Sequence, residues 1–149
     1  MDSYVERNTA DLQRLRALIE RLDDQDLARE VGVGWTVAAT FAHLAFWDRY
    51  LMARWAGAVR QGLRVPEVLP DTVAGLINEA ALEGWRACPP RVAASLSLAA
   101  AEEVANVVAE LDSDMVAAAF EGGRPSLVDR TIHWQEHIHQ IEAALGLAQ

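Results

Sequence analysis

The sequence has few of the features that mark secreted, membrane or nucleic-acid-binding proteins. Its 149 residues include one cysteine, Cys88, so no disulfide forms within the chain, as is typical of the reducing cytoplasm. The longest apolar stretch, 35–47, is interrupted by Thr and His and is too short to cross a bilayer, and no leader with a basic start and an apolar run opens the chain. A net charge of −9 repels phosphate backbones and anionic lipids. We therefore expect a cytoplasmic protein with neither nucleic acid nor a membrane as partner.

Several common catalytic motifs are also missing. The chain has no Gly-x-Ser-x-Gly elbow of a serine hydrolase and no glycine-rich phosphate loop. Residues 133–137 match the His-x-x-Glu-His pattern of inverzincin peptidases, which need a third acidic ligand far downstream. Only twelve residues follow this segment, and Glu142 is the only carboxylate side chain among them. Peptidase activity is therefore not expected.

Apolar residues at helical spacing predict an all-α fold with no strand. Capping boxes are predicted at Ser3–Glu6 and Ser126–Asp129, and Thr36 is predicted to cap the second helix. Polar residues 23–26 are predicted to form a turn and residues 112–125 a loop, with Gly146 just beyond the last helix. The predicted helices run over about residues 4–22, 36–62, 73–87 and 126–145, and a further helix either starts at Ser97 or continues through it to about residue 111.

Short connections between long amphipathic helices favour an antiparallel four-helix bundle. The segment 73–87 is either an extra short or crossover helix or an extension of the third helix. A chain of this length fits one domain, so we expect residues 1–149 to form a single helical bundle. A homodimer is expected only because symmetric pairs are the commonest oligomers.

The four histidines are confined to two of the predicted helices. His43 lies on the second helix, and His133, His137 and His139 lie on the last. His133 and His137 are four residues apart and share a helical face, whereas His139 lies about 240° from His133 and is interpreted as a surface residue. A lone His and a His-x-x-x-His pair supply three nitrogen ligands, a number typical of a catalytic metal with an open position. The alternative is that the pair arises by chance and the imidazoles are core or interface groups.

Other polar and aromatic side chains are candidates for the walls of such a site. Those on the second helix lie within about 40° of His43 on a helical wheel, and they either border the site or lie exposed at the end of the bundle. Asp129 and Glu136 are candidates to orient a ligand imidazole. The Gln140 amide is a candidate to bind a metal-bound water or the substrate. The wall candidates are Trp47, Tyr50, Arg54, Asp129, Glu136 and Gln140.

Two blocks of the sequence resemble the DinB-like superfamily. Gly34-Trp35-Thr36-Val37 followed by Phe41-Ala42-His43-Leu44-Ala45 and Trp47-Asp48 resembles the second helix of that superfamily. His133-x-x-x-His137-x-x-Gln140-Ile141 resembles its last helix, and the resemblance covers essentially the whole chain. It implies a four-helix bundle in which His43, His133 and His137 bind a divalent metal, commonly zinc or nickel.

Characterised members of the superfamily are mostly thiol-dependent enzymes, among them mycothiol-dependent maleylpyruvate isomerase and bacillithiol S-transferase. In these enzymes the metal activates the thiol sulfur for attack on an electrophile. The resemblance therefore implies a metal-dependent thiol S-transferase or isomerase that takes a low-molecular-weight thiol, such as mycothiol or bacillithiol, and an electrophile. The isomerases carry a further C-terminal domain that these 149 residues lack, so we do not expect maleylpyruvate itself as the substrate. The alternative is a metal-binding module without catalysis, acting as a sensor or stress-response partner.

Overall fold

The computed structural model describes residues 3–147, and within them the predicted all-α bundle is confirmed. Residues 1–2 and 148–149 of the predicted domain lie outside the described residues. One 3-10 turn, Pro125–Leu127, precedes the last helix. In chain order the other elements are α1 (Tyr4–Arg21), α2 (Asp24–Ala28), β1 (Glu30–Gly32), β2 (Trp35–Thr36), α3 (Val37–Gln61), α4 (Asp71–Ala87), α5 (Pro90–Ala109), α6 (Ser113–Glu121) and α7 (Thr131–Ala144).

Helix α3 lies at the centre of the bundle. It packs mainly against α5 and also contacts α4 and α7, while α1 packs against α5 and α7. Residues 37–45 of α3 are all buried, as expected for a helix segment that is apolar on every side. His43 lies within this buried segment, so the packing of neighbouring helices fixes its position.

The predicted ends of the long helices are largely confirmed. The Ser3–Glu6 capping box forms at the start of α1, and the Thr36 hydroxyl accepts a hydrogen bond from the main-chain N–H of Ala39 at 3.0 Å. Gly62 ends α3 with a φ of 69°, and Gly146 follows α7 with a φ of 67°. Both angles lie in the left-handed region that glycine enters at little cost.

Two predictions in the first two thirds of the chain were wrong, and one open alternative is decided. The polar turn at 23–26 begins a short helix, because Asp23 and Asp26 form a capping box of their own. Strands β1 and β2 form an antiparallel pair where no strand was expected, joined by a turn in which Gly34 has a φ of 80°. Ser97 continues a helix rather than starting one, since α5 begins at Pro90, where the first helical position needs no N–H and suits the fixed φ of proline.

The segment before the last helix also differs from its prediction. The loop at 112–125 contains α6, and Ser126 lies in the 3-10 turn rather than in a capping box. Helix α7 begins only at Thr131, where the Asp129 carboxylate accepts hydrogen bonds from the main-chain N–H at 3.2 Å and the hydroxyl at 2.5 Å.

The segment 73–87 belongs to a separate helix, α4, and does not extend the helix that follows it. Asp71 is the first residue of α4, and Cys88 caps its C-terminal end.

Among the described residues, one helix is long and apolar enough to cross a membrane by length and composition alone, namely α5. Its Ala100, Ala101, Val104 and Val108 are fully buried in the protein. Burial against α3 and α1 is what the core helix of a helical bundle requires.

Candidate metal centre

Three of the four histidines meet where α3 faces α7. Nε2 of His137 lies 3.1 Å from Nε2 of His43 and 3.2 Å from Nε2 of His133. One ring nitrogen from each of the three residues lies within 4.8 Å of the other two. The histidines on α7 are adjacent because they are one helical turn apart, and the packing of α7 against α3 brings them to His43.

These spacings suit a shared metal ion. Two nitrogens bound to one tetrahedral ion at about 2.05 Å lie roughly 3.3 Å apart. The measured separations of 3.1 and 3.2 Å are close to that value, so an ion fits between the rings after small shifts. Because each of the three residues offers an imidazole, the donor set suits Zn, Ni, Co or Fe better than the oxygen-preferring Mg or Ca.

Hydrogen bonds at the outer ring nitrogens decide which tautomer each ring adopts. Nδ1 of His137 lies 2.8 Å from the Oε1 atom of Gln140 and donates a hydrogen bond to it, which leaves the Nε2 lone pair directed at the other two rings. Nδ1 of His43 is buried and has no hydrogen-bond partner among residues 3–147. The Nε2 atoms of His43 and His133 both lie close enough to Nε2 of His137 to share one cation with it.

Burial keeps all three imidazoles neutral near pH 7. Burial, followed by the charge of His137, lowers the pKa of His43 to about 4, and the neighbouring Asn78 side chain opposes that shift only weakly. The pKa of His133 is lowered well below its usual value by burial first and then by the positive charge of Arg130. Burial also lowers the pKa of His137. The neutral form is the one that binds a metal.

Aromatic rings enclose His43 on its outer side. The rings of Trp85 and Trp35 meet the imidazole edge to face, with centroids 5.2 and 5.4 Å away, and Trp47 follows at 6.4 Å. Trp47 is fixed by a hydrogen bond from Nε1 to Oδ1 of Asn78 at 2.8 Å. Sequence reasoning missed Trp35 and Trp85, which reach the site only because the β-hairpin and α4 pack beside α3.

A buried ion pair lies beneath the histidines. The Asp48 carboxylate is fully buried and accepts hydrogen bonds from Arg130 Nε at 3.0 Å, Arg130 Nη2 at 2.8 Å and Trp134 Nε1 at 2.8 Å. Arg130 also donates to the main-chain oxygen of Ser126 at 2.8 Å. The pair therefore links α3, the 3-10 turn and α7. Neither partner was predicted from the sequence as a site residue, although a carboxylate directly after the largely apolar segment 37–47 is a signal of such a pair.

The chain matches the family described as Mycothiol maleylpyruvate isomerase N-terminal domain over residues 9–144. It belongs to this family. The match confirms the resemblance to the DinB-like superfamily, of which this domain is a member. Comparisons with curated proteins and with solved structures gave no match.

In this member of the mycothiol maleylpyruvate isomerase N-terminal family, the histidines border a cavity of about 940 Å³. The cavity opens to solvent, since the lining residue Ile132 is 50 % exposed. Residues from α3, α4, the 62–70 connection, the 123–130 segment and α7 form its walls. Those that the sequence analysis selected are His43, Trp47, Tyr50, Arg54, His133, Glu136 and His137.

The structure places the remaining selected residues outside this cavity lining. Asp129 is buried and forms an ion pair with Arg7 at 2.8 Å, besides its bonds to Thr131. Gln140 contacts the outer nitrogen of His137 rather than the cavity. His139 is exposed on α7, away from the other three histidines.

Proposed function

We propose that this protein is a divalent-metal-dependent thiol S-transferase or isomerase. The observation that carries the proposal is the meeting of three neutral imidazoles at the wall of a large open cavity. His43, His133 and His137 are the proposed ligands, and zinc or nickel is the proposed metal because both favour imidazole nitrogen. A closed structural site would need a fourth protein ligand, and no fourth His, Cys, Asp or Glu joins the cluster among residues 3–147.

A bound divalent ion would hold the sulfur of a small thiol as a thiolate near neutral pH, ready to attack an electrophilic carbon. The protein's own part is to keep the ligand imidazoles deprotonated and oriented. Burial keeps the imidazoles neutral by lowering their pKa values, and the hydrogen bond to Gln140 orients the ring of His137. The indole rings of Trp35, Trp47 and Trp85 pack around His43 and restrict the access of water to it.

The cavity provides the space for the thiol and its electrophile. Tyr50 and Arg54 line it beyond Trp47 and are proposed to contact the polar body of the thiol, with Glu136 on the opposite helix. Asp129, which lies outside the lining, is proposed to act on the site only through the start of α7. A cavity of this volume beside the histidines favours the enzyme over a metal-binding module without catalysis.

The family description supports a thiol of the mycothiol type, with bacillithiol as the second choice. A cytoplasmic location is part of the same proposal, because such thiols are kept reduced there. A single domain over residues 1–149 agrees with a family match that runs from residue 9 to residue 144. A homodimer remains a proposal based on the frequency of symmetric pairs.

Elemental analysis of the purified protein tests the metal site. We expect one zinc or nickel ion per chain in the wild type and in the His139→Ala control, which removes an exposed histidine from the same helix. His133→Ala should lose the ion, because two ligands remain. One ion per chain retained in His133→Ala would refute the ligand assignment.

The second test separates the enzyme from a module without catalysis. Metal-loaded protein is incubated with mycothiol, bacillithiol or glutathione and with 1-chloro-2,4-dinitrobenzene or maleate as electrophile. Loss of free thiol reports transfer, and conversion of maleate to fumarate reports isomerisation, because an isomerase releases its thiol again. Either reaction, if it disappears in His133→Ala but persists in His139→Ala, supports the proposal. Tightly bound metal with neither reaction would favour the module.

A further inference from the structure

Two arginines lie side by side at one wall of the cavity. Arg54 projects from α3, and Arg124 follows α6; both line the cavity. Arg54 donates through Nη2 to the main-chain oxygen of Glu67 at 2.7 Å, and Nη2 of Arg124 reaches the same oxygen at 3.3 Å. Because the two guanidinium groups share one acceptor, they lie within a few ångströms of each other.

Neither guanidinium has a carboxylate partner within the described part of the chain. Their partners are main-chain oxygens, those of Glu67 and Pro66, together with the Tyr50 ring, whose centroid lies 6.0 Å from Arg54. Asp71 and Glu136 also line the cavity, but neither forms an ion pair with Arg54 or Arg124. The described arginines that do pair with carboxylates are Arg7, Arg14, Arg16, Arg49, Arg91 and Arg130.

Partial burial and the nearness of like charges make it unfavourable in free energy to keep both guanidinium groups charged without a bound anion. Burial, followed by the charges of Arg124 and Arg130, lowers the pKa of Arg54, although the protein as a whole carries a net charge of −9. A guanidinium presents a planar set of five N–H donors that matches a carboxylate or a phosphate, and the present partners use one donor of Arg54 and two of Arg124. Donors that face the cavity remain available to an oxyanion.

The arginine pair and the histidines lie towards opposite ends of one face of α3. His43, Trp47, Tyr50 and Arg54 follow one face of α3, with spacings of four, three and four residues. Arg54 comes eleven residues after His43, so the main-chain atoms of the two residues are roughly 16 Å apart along the helix axis. A ligand that touches both ends is therefore elongated, and Trp47 and Tyr50 pack against its middle.

We propose that Arg54 and Arg124 bind a carboxylate or phosphate group at the far end of an elongated substrate whose reacting atom lies at the histidines. The anion site itself depends only on the arginine pair and the cavity. The placement of the reacting atom rests on the proposed function. The assignment narrows the substrate class to thiols or electrophiles that carry an oxyanion remote from the reacting sulfur or carbon.

Anion binding to metal-free protein tests the arginine pair independently of the metal. Adipate and inorganic phosphate are titrated into chelator-treated protein by calorimetry, with neutral adipamide as the matched control ligand. We expect one of the two anions to bind, adipamide to bind at least tenfold more weakly, and Arg54→Gln and Arg124→Gln each to weaken anion binding about tenfold. Arg60→Gln, which removes an exposed arginine from the same helix, should change nothing. Equal anion affinities in the wild type and both cavity variants would overturn the proposal, as would no binding of either anion.

A second titration tests whether one ligand reaches from the histidines to the arginine pair. Cobalt-loaded protein receives 8-mercaptooctanoate, 8-mercapto-1-octanol or 3-mercaptopropionate, and binding is followed by the sulfur-to-cobalt absorption band. The long thiol acid should bind about tenfold more tightly than the other two, and Arg54→Gln should remove that advantage. Equal binding of the long acid and the long alcohol would overturn the elongated substrate. If no thiol produces the band, the proposed function fails, while the calorimetric experiment still decides the arginine pair.

Discussion

Nη2 of Arg130 lies 3.3 Å from Nδ1 of His133, and the same guanidinium is held by the buried carboxylate of Asp48. A guanidinium can only donate, so Nδ1 of His133 accepts and the neutral ring carries its proton on Nε2. Metal binding through Nε2 needs the opposite tautomer, with the proton on Nδ1. The Arg130–His133 contact therefore opposes metal binding, whereas the Gln140–His137 contact favours it.

Neutralising the ion pair should strengthen metal binding. In the double variant Asp48→Asn with Arg130→Gln, the amide oxygen of the new Gln side chain can accept a hydrogen bond from Nδ1 of His133, and the repulsion between a bound cation and the guanidinium is gone. We expect zinc affinity to rise about tenfold, within the range seen for groups that contact metal ligands. Competition with a chromophoric chelator measures it. The matched control is Arg49→Gln with Glu103→Gln, an exposed pair, and an unchanged affinity in the Asp48/Arg130 variant would refute the tautomer argument.

Breaking the buried pair on one side should destabilise the protein strongly. Asp48→Asn leaves the Arg130 guanidinium buried without its counter-charge, and such a loss costs about 3–5 kcal/mol of unfolding free energy. Urea unfolding of the metal-free protein measures this cost. Glu103→Gln, which breaks an exposed pair with Arg49, should cost less than about 1 kcal/mol. Similar losses in the two variants would mean that the Asp48 pair is not desolvated in solution.

Removing the acceptor on His137 should weaken metal binding while leaving the three ligands in place. Gln140→Leu frees Nδ1 of His137, so the ring is no longer held with Nε2 directed at the other two imidazoles. We expect metal affinity to fall by about 10–100-fold. Gln140→Glu should restore it, because a carboxylate also accepts from Nδ1. Gln13→Leu on α1 controls for a general effect of an exposed Gln to Leu change, and a Gln140→Leu variant with wild-type affinity would contradict this role.

Acid should destabilise the metal-free protein through its neutral buried histidines. Because the pKa of His43 is about 4 in the folded protein and that of an unperturbed imidazole is about 6.5, the unfolded chain binds more protons between these values. The unfolding free energy should therefore fall as pH is lowered from about 6.5 towards 4, by on the order of 3 kcal/mol from this residue. His133 and His137, whose pKa values are also lowered, act in the same direction.

Urea unfolding in the presence of a chelator at several pH values measures this dependence. His43→Gln should flatten the slope, and the exposed His139→Gln should leave it unchanged. A stability that does not change between about pH 6.5 and pH 4 would show that the imidazoles are solvated in solution, against the burial seen here.

Local sequence signals determined most of the helical frame. The Ser3–Glu6 capping box, the Thr36 cap and the glycines at 62 and 146 act through bonds and backbone angles within a few residues, so they were predictable without a fold. The spacing of His133 and His137 acts in the same way, since four residues in a helix put two side chains on one face. His43 on a different helix was a candidate third ligand from the residues and from the family resemblance, and the structure places it beside the other two.

Tertiary packing decided what lies around those imidazoles. The β-hairpin and α4 bring Trp35 and Trp85 to His43, and the meeting of α3 and α7 pairs Asp48 with Arg130 across 82 positions of the sequence. Arg54 and Arg124 likewise meet only because the 62–70 connection folds between them. The sequence by itself determines which residues can form helices and which can ligate a metal, because those properties depend on near neighbours. Which charges face the site, and which tautomer each ring adopts, depends on contacts between distant segments and was decided by the fold alone.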